Sequence, residues 1–198
     1  MILQARKQLS PGEALTVARI VRVNHAGEFG AIRIYSAQII VASKLFSEIV
    51  PALTTMLGHE KVHCAKLLAA MPERNARPCR VMSFWSWGGW WLGLLTAVMG
   101  RQAIWICTAA VEAAVHRHLD DQLHFLEDRD PALTAIILSI REEELAHLRH
   151  AEDHIETPGA GARVLHRLIT VATDAVIWLS TSGDSTRMTR ALRDSRLS

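Results

Sequence analysis

The sequence predicts an all-α fold: a four-helix bundle with one long crossover, followed by an additional C-terminal helix. Three observations carry that expectation. Prolines and glycines divide the chain into long segments of helical character, and no stretch sustains the alternation of a β-strand. The first and second predicted helices are joined closely, as are the third and fourth, whereas the second and third are far apart. A Glu…ExxH pattern occurs twice at one spacing.

The elements follow in order. Ser10-Pro11-Gly12-Glu13 sets the first helix start, with proline in the first turn, and the helix runs to about Glu48 before Pro51 stops it. Gly27 and Gly30 weaken it locally and allow close packing. A second helix spans Ala52 to about Met71 and ends at Pro72. The polar linker MPERNARPCR leads into Val81 to Gly100, an uncharged segment bracketed by Arg80 and Arg101. A third helix runs from about Leu92 or Gly100 to Glu127, and Arg129-Asp130-Pro131 makes the turn. A fourth spans Ala132 to about Glu156, broken by Pro158-Gly159-Ala160-Gly161, and a mostly apolar fifth spans Arg163 to Ser180. In the tail, 183–198, Arg187, Arg190, Arg193 and Arg196 form one basic stripe if helical: a solvated face, or a contact for anionic lipid. This connectivity is that of a ferritin-like four-helix bundle with a long crossover between helices 2 and 3.

The 198 residues suit one domain, 1–198, and 49% hydrophobic content gives it a sizeable core. A formal charge of +2 leaves no footprint for nucleic acid. Cys64, Cys79 and Cys107 make neither a disulfide framework nor a CxxC pair, which points to a reducing compartment. The opening MILQARKQLSPGEAL carries charges where a secretion signal needs an apolar run. By length alone, 81–100 matches a membrane span, which takes about 20 apolar residues. Trp85, Trp87, Trp90 and Trp91 around Gly88-Gly89 favour a different reading, an irregular segment lying in the bilayer interface, because tryptophan prefers the headgroup level. The lipid bilayer is therefore an expected partner, and the fifth helix is expected to dock on it.

The chemistry lies in the repeat. Glu60-Lys61-Val62-His63 and Glu144-Leu145-Ala146-His147 each place a carboxylate and an imidazole on one helix face. Glu28 lies 32 residues before the first unit and Glu112 lies 32 before the second, so the copies are offset by 84. Two such hairpins, paired about a pseudo-twofold axis, bring six side chains to one centre. Glu28 in HAGEFGA and Glu112 in CTAAVEAAV sit in apolar surroundings, where a carboxylate costs several kcal/mol unless a cation holds it. Glu28, Glu60, His63, Glu112, Glu144 and His147 form the ligand set of carboxylate-bridged di-iron or di-manganese centres. Glu60 and Glu144 would bridge, and Glu28 and Glu112 would each cap one ion.

Other polar residues read less sharply. His118 serves either as a functional hydrogen-bonding group or as a plain interior histidine. His25 is expected beside the ligands, and Asp153 either orients a ligand imidazole or faces solvent. His59, His116, His124, His150 and His166 are expected at the surface. Glu142 and Glu143 are expected to face solvent, and Cys64 and Cys107 to fill the core.

RVNHAGEFGAIRIY (Arg22 to Tyr35) resembles the first-helix signature of the demethoxyubiquinone hydroxylases, the Coq7 family of ubiquinone biosynthesis. The resemblance continues through MLGHEKVH, RPCRVMSFWSWGGWWLGLLTAVMG, CTAAVEAAVHRHLDDQL, EEELAH and VLHRLITVATDAVIWLS, from about Ala18 to Ser180. It implies a membrane-associated di-iron monooxygenase that hydroxylates the ring of a polyprenylated quinol with O2. Carried over by position, the iron ligands are the same six residues, and His118 matches a family histidine implicated in handling electrons or the ring. With no GxGxxG present, NADH-derived electrons would come from outside the chain, relayed by the bound quinone. The resemblance also implies other ubiquinone-biosynthesis proteins as partners, and a peripheral place on the cytoplasmic face of the inner membrane if the source is bacterial. Two positions depart from the family pattern: Phe29 and Leu119 stand where tyrosines are common. The rival reading is a ferritin-like protein that stores iron or detoxifies peroxide with the same ligands; the apolar segment 81–100 argues against it.

Overall fold

The structure, a computed structural model, describes residues 9–156, 159–181 and 183–195. It is all-helical among those residues. Helix α1 spans Pro11–Leu45, and Ser10 and Glu13 cap it reciprocally through backbone N–H groups at 3.3 and 2.9 Å. One tight turn, Ser47–Ile49, leads into α2, Val50–Ala70. Helices α3 (Met82–Val98) and α4 (Arg101–Leu126) meet at Gly100, whose φ of 113° breaks the run between them. Helix α5 spans Pro131–Asp153, and the Asp130 carboxylate accepts from the Leu133 N–H at its start. Helix α6 is Ala160–Ser180 and α7 is Asp184–Ser195.

The segment expected to be irregular is a helix. Tryptophan and glycine are poor reasons to form one in isolation, so α3 is made by docking. It lies along α1 so closely that a Cβ added at Gly89 would meet Gly30 O at 2.5 Å, and one at Gly93 would meet Ile34 O at 2.3 Å. Backbone cannot move aside as a flexible side chain can. Gly93→Ala is therefore expected to lower stability by about 1–3 kcal/mol, read by urea unfolding, whereas Gly88→Ala, with open space, should be near neutral. Predicted helix ends otherwise move by a few residues, and the fourth stops at Asp153 rather than Glu156.

Helix α1 packs on α2 and α3, and α4 packs on α5, α6 and α7. Contacts between α2 and α5 and between α1 and α4 join the two sets. The chain between α2 and α4, residues 71–100, contains α3. Among the described residues three apolar clusters fill the interior, two of them as layers that cross the four core helices and a third around Ile34, Cys107, Ala110 and Ile169. One layer contains Val17, Ile20, Leu67, Leu133 and Ile137, and the other Tyr35, Leu53, Met56, Ile104 and Trp105. Between them along every core helix lies a polar stretch. Among the described residues no single helix is long and apolar enough to cross a membrane.

The tail is anchored. Asp184 accepts from Arg19 at 2.7 Å, and Met188 joins the first apolar layer. Arg187 and Arg190 are exposed. Arg196 and Pro158, which figure in the expected stripe and helix break, lie outside the described residues, as do positions 1–8.

Candidate metal centre

Each of the four core helices contributes to the polar stretch: Glu28 from α1, Glu60 and His63 from α2, Glu112 from α4, Glu144 and His147 from α5. All six are buried, none more than 6% exposed. They form two four-residue groups, Glu28–Glu60–His63–Glu144 and Glu60–Glu112–Glu144–His147, with donor atoms within 4.8 Å of one another in each. Glu60 and Glu144 belong to both.

The atoms divide the same way. His63 Nδ1 lies 3.0 Å from Glu144 Oε1, 3.5 Å from Glu28 Oε2 and 3.8 Å from Glu60 Oε2. His147 Nδ1 lies 3.3 Å from Glu60 Oε1 and 3.3 Å from Glu144 Oε2. Each shared carboxylate thus turns one oxygen toward each histidine. Despite this crowding, Glu60 Oε1, both Glu144 oxygens and the Nδ1 atoms of His63 and His147 make no aligned hydrogen bond. Buried polar atoms are almost always paired. Oxygens and nitrogens that converge without bonding one another suit a pair of cations, and the donor set suits iron or manganese.

Electrostatics describe a cluster held together by protons when no metal is bound. Burial, then the charge of Glu60, raises the pKa of Glu28 well above the ordinary range. Burial and the charge of Glu144 do the same to Glu112. Burial works against a charged His63, but contacts with Glu144, Glu28 and Glu60 outweigh it and push the pKa up to about 12. His147 rises to about 9 by the same contest, through Glu144 and Glu60. Burial would raise Glu144, yet the two histidines hold it below the usual carboxylate range.

Three groups around the centre were not expected there. Tyr35, the chain's single tyrosine, is buried and donates to Glu112 Oε1 at 2.9 Å. His59 pairs its Nδ1 with His147 Nε2 at 2.9 Å, its ring stacked on that of His147. Glu143, expected to face solvent, places Oε2 3.2 Å from His63 Nε2. Asp153, the alternative orienting group, is exposed. His25 is buried with Nδ1 unbonded, and desolvation lowers its pKa. His116, His124, His150 and His166 are partly buried rather than at the surface. Cys107 is core and Cys64 half-buried.

A cavity of about 430 Å³ opens from the carboxylates outward between α1, α3, α4 and α6. Its walls are mostly apolar, from residues such as Ile34, Trp85, Leu92, Ile169 and Val176. His118 lines it, with Nε2 3.0 Å from Asp174 Oδ1 on α6; Arg117 donates to the same carboxylate. Around the cavity, α3 and α6 leave large apolar side chains in the open: Phe84, Trp87, Leu95, Leu168 and Leu179 are each more than half exposed. That is an uncommon outer surface for a protein that stays in water.

The family profile described as "Ubiquinone biosynthesis protein COQ7" matches residues 15–180. The chain is 36% identical over 168 residues to the mitochondrial NADPH-dependent 3-demethoxyubiquinone 3-hydroxylase of Dictyostelium discoideum, covering 83% of this chain and 76% of that protein. It is 36% identical over 172 residues to the 3-demethoxyubiquinol 3-hydroxylase of Rhodospirillum rubrum, covering 86% and 80%. The human protein of the first name is 34% identical over 168 residues, with the same coverage as the Dictyostelium one. The matched span runs from α1 through α6 and includes all six converging residues, the cavity and His118. A bundle with twin Glu…ExxH hairpins opening on an apolar cavity, in a chain of this likeness, belongs to the COQ7 family of ubiquinone biosynthesis proteins.

Proposed function

We propose that this chain hydroxylates the ring of a polyprenylated demethoxyubiquinol with O2, on a centre of two iron ions held by Glu28, Glu60, His63, Glu112, Glu144 and His147. The observation that carries this reading is the division of Glu60 and Glu144, one oxygen to each histidine, at the inner end of an apolar cavity. Glu60 and Glu144, common to both groups, would serve both ions, while Glu28 with His63 and Glu112 with His147 would complete the two positions. Bound iron supplies the redox chemistry that activates O2.

The remaining work falls to the protein. The cavity walls receive the ring and first isoprene units and exclude water from them. His118, held through Nε2 at 3.0 Å from Asp174 Oδ1, presents its ring to the cavity where a ring hydroxyl would lie. Electrons come from a reduced nicotinamide nucleotide outside the chain. We expect NADH; the names of the Dictyostelium and human relatives specify NADPH. The insoluble tail requires a mouth open to lipid, which the exposed faces of α3 and α6 provide. In this reading residues 71–100 are the crossover of a ferritin-like bundle, α6 is the docking helix, and the protein sits peripherally on the membrane, on the cytoplasmic side of the inner membrane if bacterial. Other ubiquinone-biosynthesis proteins are further partners. An iron-storing cage would have no use for that apolar surface.

The direct test is iron-loaded protein in liposomes carrying demethoxyubiquinol, supplied with 18O2 and either NADH or NADPH. One labelled oxygen in the quinol product is expected. Unlabelled or absent product contradicts the assignment. The docking surface has its own test: Phe84→Ser with Trp87→Ser should weaken liposome binding at least ~10-fold, since each buried aromatic contributes about 1.5–3 kcal/mol, and should leave iron content unchanged.

Metal uptake should also depend on pH in a defined direction. Glu28, Glu112, His63 and His147 all have raised pKa values, so the metal-free centre keeps protons that divalent ions must displace. Affinity is expected to fall as pH drops, with protons released on loading. Calorimetry in two buffers of different ionisation enthalpy counts them.

A further inference from the structure

The centre has two sides of opposite character. Toward α3 and α6 it opens on the apolar cavity, whose walls offer little to replace the water around an ion. An ion stripped of water in such surroundings is strongly disfavoured. The side where α2 meets α5 lies away from α3 and α6, which pack on α1 and α4, and its residues are ionisable. There the side chains of His59 and Lys66 on α2 and Glu143 on α5 are between 36% and 42% exposed.

These groups lead inward. Glu143 Oε2 lies 3.8 Å from His59 Nδ1 and 3.2 Å from His63 Nε2. His63 is fully buried, and its Nε2 makes no aligned hydrogen bond although that carboxylate stands beside it. Both separations are close to what one cation spans with two bonds of about 2.1 Å. From His63 the path reaches the shared carboxylates, for its Nδ1 is 3.0 Å from Glu144 Oε1. His59 continues to the other half, with Nδ1 2.9 Å from His147 Nε2. Glu143 and His59 therefore serve the centre as a whole. Lys66 Nζ lies 4.0 Å from Glu143 Oε1 and donates to Ser139 Oγ at 3.3 Å, so it is the positive charge that Glu143 faces before a metal ion arrives.

We propose that the α2–α5 seam is the port through which Fe2+ enters and leaves the centre, with Glu143 and His59 as its transient outer ligands. Metal then comes from water on one face of the bundle, and quinol from lipid on the other. The inference rests on the two-metal reading of the site and goes beyond it. That reading says which residues keep the ions, not how a hydrated cation reaches ligands that are all buried.

A residue that only passes the ion along lowers the barrier in both directions. It changes uptake and release by one factor and leaves Kd alone, whereas a resident ligand, or a residue that orients one, changes Kd. The experiment is stopped-flow uptake of Co2+, followed by its visible absorption, and of Fe2+ without oxygen, by the metal-free full chain. Release is read by transfer to excess chelator. Glu143→Ala should slow both rates at least ~10-fold, with Kd and the final ion content unchanged. Glu143→Asp should recover part of the rate, and Lys66→Gln, which removes the competing charge, should quicken uptake. Protein bound to liposomes, its cavity mouth against lipid, should load at the native rate. Native rates in Glu143→Ala overturn the proposal, as does a Kd that changes as much as the uptake rate, or uptake that stops on liposomes. A native chain that takes up no ion contradicts instead the two-metal reading beneath it, so the two failures are told apart. Glu143 is about one-third exposed, so the fold should tolerate both of its variants.

Discussion

Glu144→Ala is expected to leave the purified protein with less than one iron per chain and to lower quinol hydroxylation by more than ~100-fold, beyond what loss of an outer partner costs. Glu144 is shared by both groups and sends a separate oxygen to each histidine, so its removal opens both positions at once. Glu28→Ala removes a carboxylate from one group only. It should retain about one ion at the Glu112–His147 position while losing hydroxylation, for which the proposed centre uses both. Elemental analysis beside turnover distinguishes these outcomes. Full iron content in Glu144→Ala would remove that residue from the centre.

The second large effect is on stability. Arg74, in the turn after α2, is buried and grips Asp130 with two hydrogen bonds of 2.8 Å, and its third nitrogen donates to Ala70 O at 2.7 Å. Asp130 in turn caps α5. The pair therefore ties the end of one helix of the Glu/His cluster to the start of another. Removing one partner of a buried ion pair costs about 3–5 kcal/mol, because the other charge keeps its desolvation penalty. Arg74→Ala should accordingly lower Tm by roughly 6–20 °C at this chain length. Iron binding at low temperature should persist, since neither residue belongs to the ligand groups. A change under 1 °C in a thermal melt would show that the pair contributes little.

The convergence of the six Glu and His side chains was legible in the sequence because a helix converts a spacing of three into a shared face, and because the same spacing occurred twice. Their outer partners were less so. Glu143 and His59 each precede one of the converging glutamates by one residue. On a helix that is a turn of about 100°, which looks like solvent in one helix alone. Across the α2–α5 seam it becomes the flank of the opposing helix's histidine: Glu143 lies beside His63, and His59 pairs with His147. Tyr35 did carry a signal, seven residues after Glu28 and so two turns along the same face. The Asp174 partner of His118 lies 56 residues away and had none. Helix α3 was obscured for a different reason. Its tryptophans and glycines indicate an interfacial segment, and only the fit of Gly89 and Gly93 against the α1 backbone makes it a helix. The docking of α7 likewise depends on long-range contacts, Arg19 and Thr16 with Asp184.

Anomalous diffraction at the iron edge from a crystal of iron-loaded protein tests the central claim most directly. The account predicts two peaks, one between Glu28 and His63 and one between Glu112 and His147, with Glu60 and Glu144 touching both. A single peak, or peaks away from these six side chains, would contradict it.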